Sequence, residues 1–94
     1  MSVNYQVIPE HMREGAKLYI EYGIRPGDFL IAVLTNDLTE AAMRADDINS
    51  AALADWGKWL MFECPRDCWG DVETVTRWMK HKKEECEENE RRGN

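Results

Sequence analysis

The sequence predicts an all-α domain, a small bundle of about four helices with short loops and a charged C-terminal tail that frays. Three observations lead there. Apolar residues recur at spacings of three and four along most of the 94 residues, the period of a helix with one buried face. Proline, glycine and aspartate fall between these runs, where helices end and begin. The one β-prone stretch, residues 1–7, has no evident strand to pair with.

The first helix is expected over residues 9–22. Pro9 suits a first position because its missing N–H has no partner there anyway. Met12, Ala16, Leu18, Tyr19 and Tyr22 supply the inner face, and Gly23 supplies a terminator able to turn left-handed. Ile24, Arg25, Pro26 and Gly27 form a tight connection, since proline disfavours helix at the residue before it. The main core helix is expected over residues 28–48, capped by Asp28, with Leu30, Leu34, Leu38, Ala41, Ala45 and Ile48 as its apolar stripe. Asn36, Glu40, Met43 and Asp47 then align on the opposite side, with Arg44 close by and Phe29 one turn earlier. A second reading of the same segment stays open: Asp37-Leu-Thr-Glu40 resembles a capping box and marks a new start after a kink near Asn36. The caps at Asp46, Asp47, Asn49 and Ser50 mark a junction to a third helix ending at Cys64. Leu53, Trp56, Leu60 and Cys64 form its inner row, while Ala52, Trp59 and Phe62 widen the apolar surface toward a second contact. Residues 65–70 are a loop, and Asp71 caps a last helix that turns Val72, Val75 and Met79 inward with Trp78 beside them. The domain is expected over residues 1–88 and a disordered tail over 89–94.

Composition narrows the function. A chain this short buries only about 60–65% of its unfolded surface, so a site is expected in a surface groove or between subunits. Eighteen acidic against twelve basic residues give a net charge of −6, which removes any general attraction to nucleic acid or an anionic membrane. No apolar run approaches a membrane span, and the N-terminal residues lack signal-peptide character, so the expected location is the cytoplasm. Three cysteines, an odd number, are expected as thiols there.

Few residues carry chemistry. Cys64, Cys68, His81 and Cys86 have the spacing of a small zinc module, but Cys64 ends an apolar helix rather than a hairpin, so ordinary thiols are the expectation and no cofactor is assigned. His11 in a first helical turn reads as a surface histidine. Asp46 and Asp47 with Asn49 read as caps before they read as ligands to a divalent metal. No phosphate-cradling glycine motif is present and no enzyme is expected. Arg25 and Arg44 are candidate phosphate donors, and Trp69, in a loop beside Arg66 and Asp67, offers an aromatic face for a base.

The run IPEHMREGAKLYIEYGIRPGDFLIAVLTNDLTEAAMRADDIN, followed by CPRDCWG, resembles a group of small bacteriophage and prophage accessory proteins. The shared pattern is IP-x-H, PG-x-FL, NDL and AD-x-x-N over about residues 7–70. The resemblance implies a non-enzymatic counter-defence protein in the bacterial host cytoplasm, and it brings no specific activity. Two mechanisms follow. The first is sequestration of a small nucleotide-type immune signal by Arg25, Phe29, Asn36, Glu40, Arg44, Asp47 and Trp69, in a homo-oligomer, a dimer or higher. The second is direct inhibition of a host defence protein through an acidic and aromatic surface. A structural zinc module stands third.

Overall fold

The structure is a computed structural model that describes the backbone of residues 3–92 and the side chains of residues 3–87. Among them every regular element is helical: α1 Glu10–Tyr22, α2 Asp28–Leu34, α3 Leu38–Arg44, α4 Asp47–Ala51, α5 Leu53–Phe62 and α6 Val72–Arg92. Short 3-10 turns at Tyr5–Val7 and Arg66–Cys68 precede α1 and α6. The expected boundary at residue 88 falls within α6; Gly93 and Asn94 of the expected tail lie outside the described residues. No helix among the described residues is long and apolar enough to cross a membrane.

The largest departure from expectation lies in residues 28–48, where one helix becomes three. Asn36 takes φ +62°, the left-handed conformation. Its amide donates to the Val33 carbonyl at 3.1 Å and that of Asp37 to Ala32 at 2.9 Å, the double closure of a Schellman terminator. Asparagine is among the few residues with a Cβ that enter this region routinely, so the sequence places a stop there that resembles an ordinary polar helix position. Asp37 then accepts from the Glu40 amide at 3.1 Å and starts α3. Asp46 does the same for α4, accepting from Asn49 at 2.7 Å. The capping-box reading therefore prevails, and the continuous 28–48 helix does not form.

The breaks rearrange the expected stripe. Leu30, Leu34 and Ala41 stay in the core, but Leu38 is 73% exposed and Ile48 also faces solvent. Val72, expected inward, is exposed on the first turn of α6, whereas Val75 is buried. The centre of the core is aromatic. Trp56 stands edge-on to Phe29 at 5.4 Å and to Trp59 at 5.6 Å, and both tryptophans are sealed from water. Of the residues expected to widen the apolar surface of the third helix, Trp59 is core and Phe62 faces solvent.

The N-terminal segment is structural. Ile8 is buried, Tyr5 tilts against Trp59 at 6.2 Å, and the Asn4 amide donates to Glu63 at 2.9 Å. On the far side α1 packs on α6. Gly23 ends α1 with φ +70°, and a Cβ there would lie 2.6 Å from the Met79 carbonyl and 2.8 Å from Lys82 Cβ, so only glycine fits this approach. The loop before α6 is pinned twice: Tyr19 Oη donates to the Cys68 carbonyl at 2.6 Å, and the Gly70 amide donates to Leu34 at 2.8 Å.

Candidate functional site

Of the residues expected to hold a ligand, Glu40 and Arg44 are brought together, as an ion pair, and the others are held by separate local contacts. Phe29 is a core residue against Trp56. Asn36 terminates α2. Arg44 lies 2.7 Å from Glu40 and 3.7 Å from Asp28, so both its reach and its charge go to intrachain carboxylates. Arg25 folds onto the Pro26 carbonyl at 3.3 Å, Asp47 is exposed at the start of α4, and Trp69 is half-buried against the core. For Asn36, Glu40, Arg44 and Asp47 the cause is the turn at Asn36, which removes the helical register that aligned them.

The zinc-spaced residues do not converge either. Cys64 and Cys68 are buried together, and the Cys64 thiol is pushed up by its hydrogen bond with Cys68 and by burial, so it is held as a neutral thiol. His81 lies exposed on α6, 3.4 Å from Glu85. Among the described residues no group of three His, Cys, Asp or Glu side chains could hold a metal ion.

Polar and aromatic groups converge in a cleft between the N-terminal segment, α1 and α6, and again on the other side of Tyr5, where Arg13, Glu14, Lys17 and Tyr22 line a second hollow. The volume of the cleft is about 490 Å3, and Val3, Tyr5, Ile20, Glu21, Pro65, Trp78 and Lys82 line it. That volume falls within the range of roughly 300–1,000 Å3 typical of small-molecule sites. Each wall is set by packing. Trp78 comes from the α6 face that meets α1, and its Nε1 donates to the Ile20 carbonyl at 3.2 Å. Tyr5 is placed by the 3-10 turn, and its Oη donates to Glu21 at 3.2 Å. Burial first, then the Glu21 charge and hydrogen bond, raise the Tyr5 phenol well above its ordinary value, so it remains a protonated donor. Lys82 extends one turn beyond Trp78, with Nζ 4.9 Å from the centre of the indole and 3.7 Å from Glu85. The cleft thus presents two aromatic rings, one carboxylate and one ammonium.

Sequence reasoning missed most of this site. It had Trp78 inward but assigned Tyr5 no structural partner, and it read the lysines after Met79 as solvated. The signal available was local: Trp78 and Lys82 are four apart, on one helical face, in an otherwise charged segment.

A separate polar relay joins α1, α4 and α5. His11 Nε2 lies 2.9 Å from Asp46 Oδ2, Asp46 Oδ1 accepts from the Asn49 amide, and Asn49 Oδ1 accepts from Trp56 Nε1 at 3.2 Å. Asn49, 2% exposed, is the one buried polar residue among those described. The Asn49 amide, and after it His11, hold the Asp46 carboxyl below its usual range. A depressed folded-state value gives stabilisation that is present above the unfolded value and lost as pH falls through the folded one. Acidification below the ordinary carboxylate range is therefore expected to loosen the start of α4. Hydrogen exchange at the Asn49 amide is the measurement, and protection unchanged by acid would contradict this.

No family profile, curated protein or solved structure matches the chain.

Proposed function

We propose that this chain is a non-enzymatic binding protein that holds a small ligand in the Tyr5–Trp78 cleft. The ligand class is a flat aromatic ring bearing a single phosphate or phosphodiester, as in a cyclic or monophosphorylated nucleotide. The observation behind this is the placement of Lys82: its ammonium sits over the Trp78 ring at the mouth of a cleft with a second aromatic wall. A base stacked on an aromatic side chain gains about 1–3 kcal/mol, and the ammonium exchanges its ring contact for the phosphate. Glu21 and the Tyr5 hydroxyl supply an acceptor and a donor for base or ribose edges.

Charge limits the ligand. The cleft contributes one lysine against one glutamate, on a chain of net charge −6. A triphosphate would bring several uncompensated charges into that field, so a ligand with a single phosphate is favoured. Among the described residues lining the cleft there is no histidine, cysteine or serine. With the resemblance to phage accessory proteins, this supports sequestration of a nucleotide immune signal in the host cytoplasm.

Native mass spectrometry and calorimetry with cyclic mononucleotides, cyclic dinucleotides and nucleoside mono- and triphosphates test the reading. Trp78→Phe, which keeps a ring, is expected to bind several-fold more weakly. Trp78→Ala should lose at least about tenfold, the equivalent of 1.4 kcal/mol of stacking. Lys82→Glu should abolish retention of phosphate-bearing ligands. Unchanged binding in both Trp78→Ala and Lys82→Glu would place any ligand elsewhere.

A second reading, inhibition of a host protein, is favoured by one observation. Met43 and Phe62 are each 78% exposed on an acidic chain, the surface chemistry of a protein contact. Heating the protein recovered from a defence-activated host separates the two: a released small molecule supports the cleft, and a stoichiometric co-purifying host protein supports the surface.

A further inference from the structure

We infer that the hollow on the other side of Tyr5 is a second binding site, for a phosphate group held between Arg13 and Lys17. Its volume is about 450 Å3, and Tyr5 is the wall it shares with the Tyr5–Trp78 cleft. Arg13, Glu14, Lys17 and Tyr22 line it from α1, and Gln6 from the 3-10 turn. The site does not rest on the ligand proposed for the cleft.

The observation that carries it is how Arg13 is held. Half-buried, Arg13 donates from Nε to the Ile8 carbonyl at 3.0 Å and from Nη2 to the Gln6 carbonyl at 3.2 Å. These carbonyls fix the plane of the guanidinium without neutralising it, and the N–H groups of Nη1 have no partner among the described residues. Glu10, Glu14 and Glu21 each stand three or four positions from Arg13 or Lys17 on α1, the spacing of helical ion pairs. Among the described residues neither cation pairs with any of them, and Glu21 accepts from the Tyr5 hydroxyl instead. Arg13 and Lys17 are themselves four apart, like charges on one helical face, and a shared anion turns their repulsion into attraction to both.

The donors select phosphate over a carboxylate. The free edge of the Arg13 fork suits two oxygens of one oxyanion, and the exposed Lys17 ammonium suits a third, which a carboxylate lacks. Charge sets the number of phosphates. Arg13 and Lys17 against Glu14 leave the hollow one positive charge in surplus, on a chain of net charge −6, whereas the cleft sets one lysine against one glutamate. A single phosphate matches that surplus, and a polyphosphate or a nucleic-acid backbone exceeds it. The hollow is larger than a phosphate, and Tyr22, 48% exposed, adds a ring and a hydroxyl to its wall. The phosphate therefore has two sources, the free ion or an organic phosphate whose ring packs on Tyr22.

NMR titration of the full chain at constant ionic strength, with inorganic phosphate and separately with phenyl phosphate, is the test. Saturating shifts are expected at the Arg13 Nε–H and at Lys17. Lys17→Gln is expected to weaken binding about tenfold, the equivalent of one hydrogen bond to a charged group. Glu14→Gln removes the opposing carboxylate and is expected to tighten binding, a gain that damage to the fold would not give. Both substitutions fall at exposed positions, so an unchanged circular dichroism spectrum is expected. Tighter binding of phenyl phosphate than of inorganic phosphate identifies an organic phosphate as the ligand, and binding no tighter identifies the free ion; each supports the site. Shifts that rise linearly with phosphate, or that are the same in Lys17→Gln and Glu14→Gln as in the wild type, overturn it.

Discussion

Trp56→Ala is expected to lower the unfolding free energy by about 3–5 kcal/mol, the range for removing a large aromatic from a core. The value belongs at the upper end because three kinds of interaction go together. Trp56 is sealed from water; its edge-to-face contact with Phe29 joins α2 to α5, and a second one packs it on Trp59 within α5. Its Nε1 is also the donor to Asn49 Oδ1, which has no solvent to turn to once the indole is gone. A domain of this length has roughly 5–14 kcal/mol in total, so the loss takes from about a fifth of its stability to all of it. Urea denaturation followed by circular dichroism gives the loss directly. Trp56→Phe separates the contributions, since it keeps a ring for Phe29 and Trp59 but orphans Asn49. Comparison with Asn49→Ala and the double variant then isolates the hydrogen bond. A loss below about 1 kcal/mol for Trp56→Ala would mean that the aromatic centre is loosely packed.

Why the sequence revealed some of this and hid the rest is a matter of range. The helical class, the inner row of α5, the burial of Ala16 and Tyr19 on α1, and the caps at Asp37, Asp46 and Asp71 depend on neighbours within four residues, and such signals are written locally, although Tyr22, expected inward, is exposed and Ile20 is buried instead. The turn at Asn36 was also local, but ambiguous, because asparagine serves both a helix surface and a left-handed terminator. Choosing the first value keeps Asn36, Glu40, Arg44 and Asp47 on one face; choosing the second leaves only Glu40 and Arg44 paired and exposes Leu38. One backbone angle thus decided the helical part of the candidate site. The Tyr5–Trp78 cleft was illegible for a different reason. Its walls come from segments far apart in sequence, Val3 and Tyr5, Ile20 and Glu21, Pro65, and Trp78 and Lys82, and no periodicity reports which helix lies against which. The buried role of Asn49 was hidden likewise, since its amide follows cap logic while its side chain answers to Trp56, seven residues on.

Gly23→Ala is expected to cost about 2–5 kcal/mol, the sum of a left-handed residue with a Cβ and an overpacked contact. The contact is severe because its partner is backbone: the new methyl would stand 2.6 Å from the Met79 carbonyl, which moves only if α6 moves. Displacing α6 from α1 acts directly on the cleft, for Trp78 and Lys82 flank Met79 on that helix and Ile20 and Glu21 lie on the facing one. The substitution should therefore weaken ligand binding even under conditions where the protein stays folded, with the Trp78 bond to Ile20 lengthened or lost. Gly15→Ala is the matched control. It makes the same chemical change within α1, where a Cβ meets nothing within 4 Å, and helix propensity makes it stabilising by about 0.5–1 kcal/mol. If the two variants were equally stable, the α1–α6 approach would be looser than the geometry requires. If Gly23→Ala were unstable yet bound ligand as tightly as the wild type when folded, the binding site would not depend on the α1–α6 spacing, and the cleft would lose its claim to the ligand.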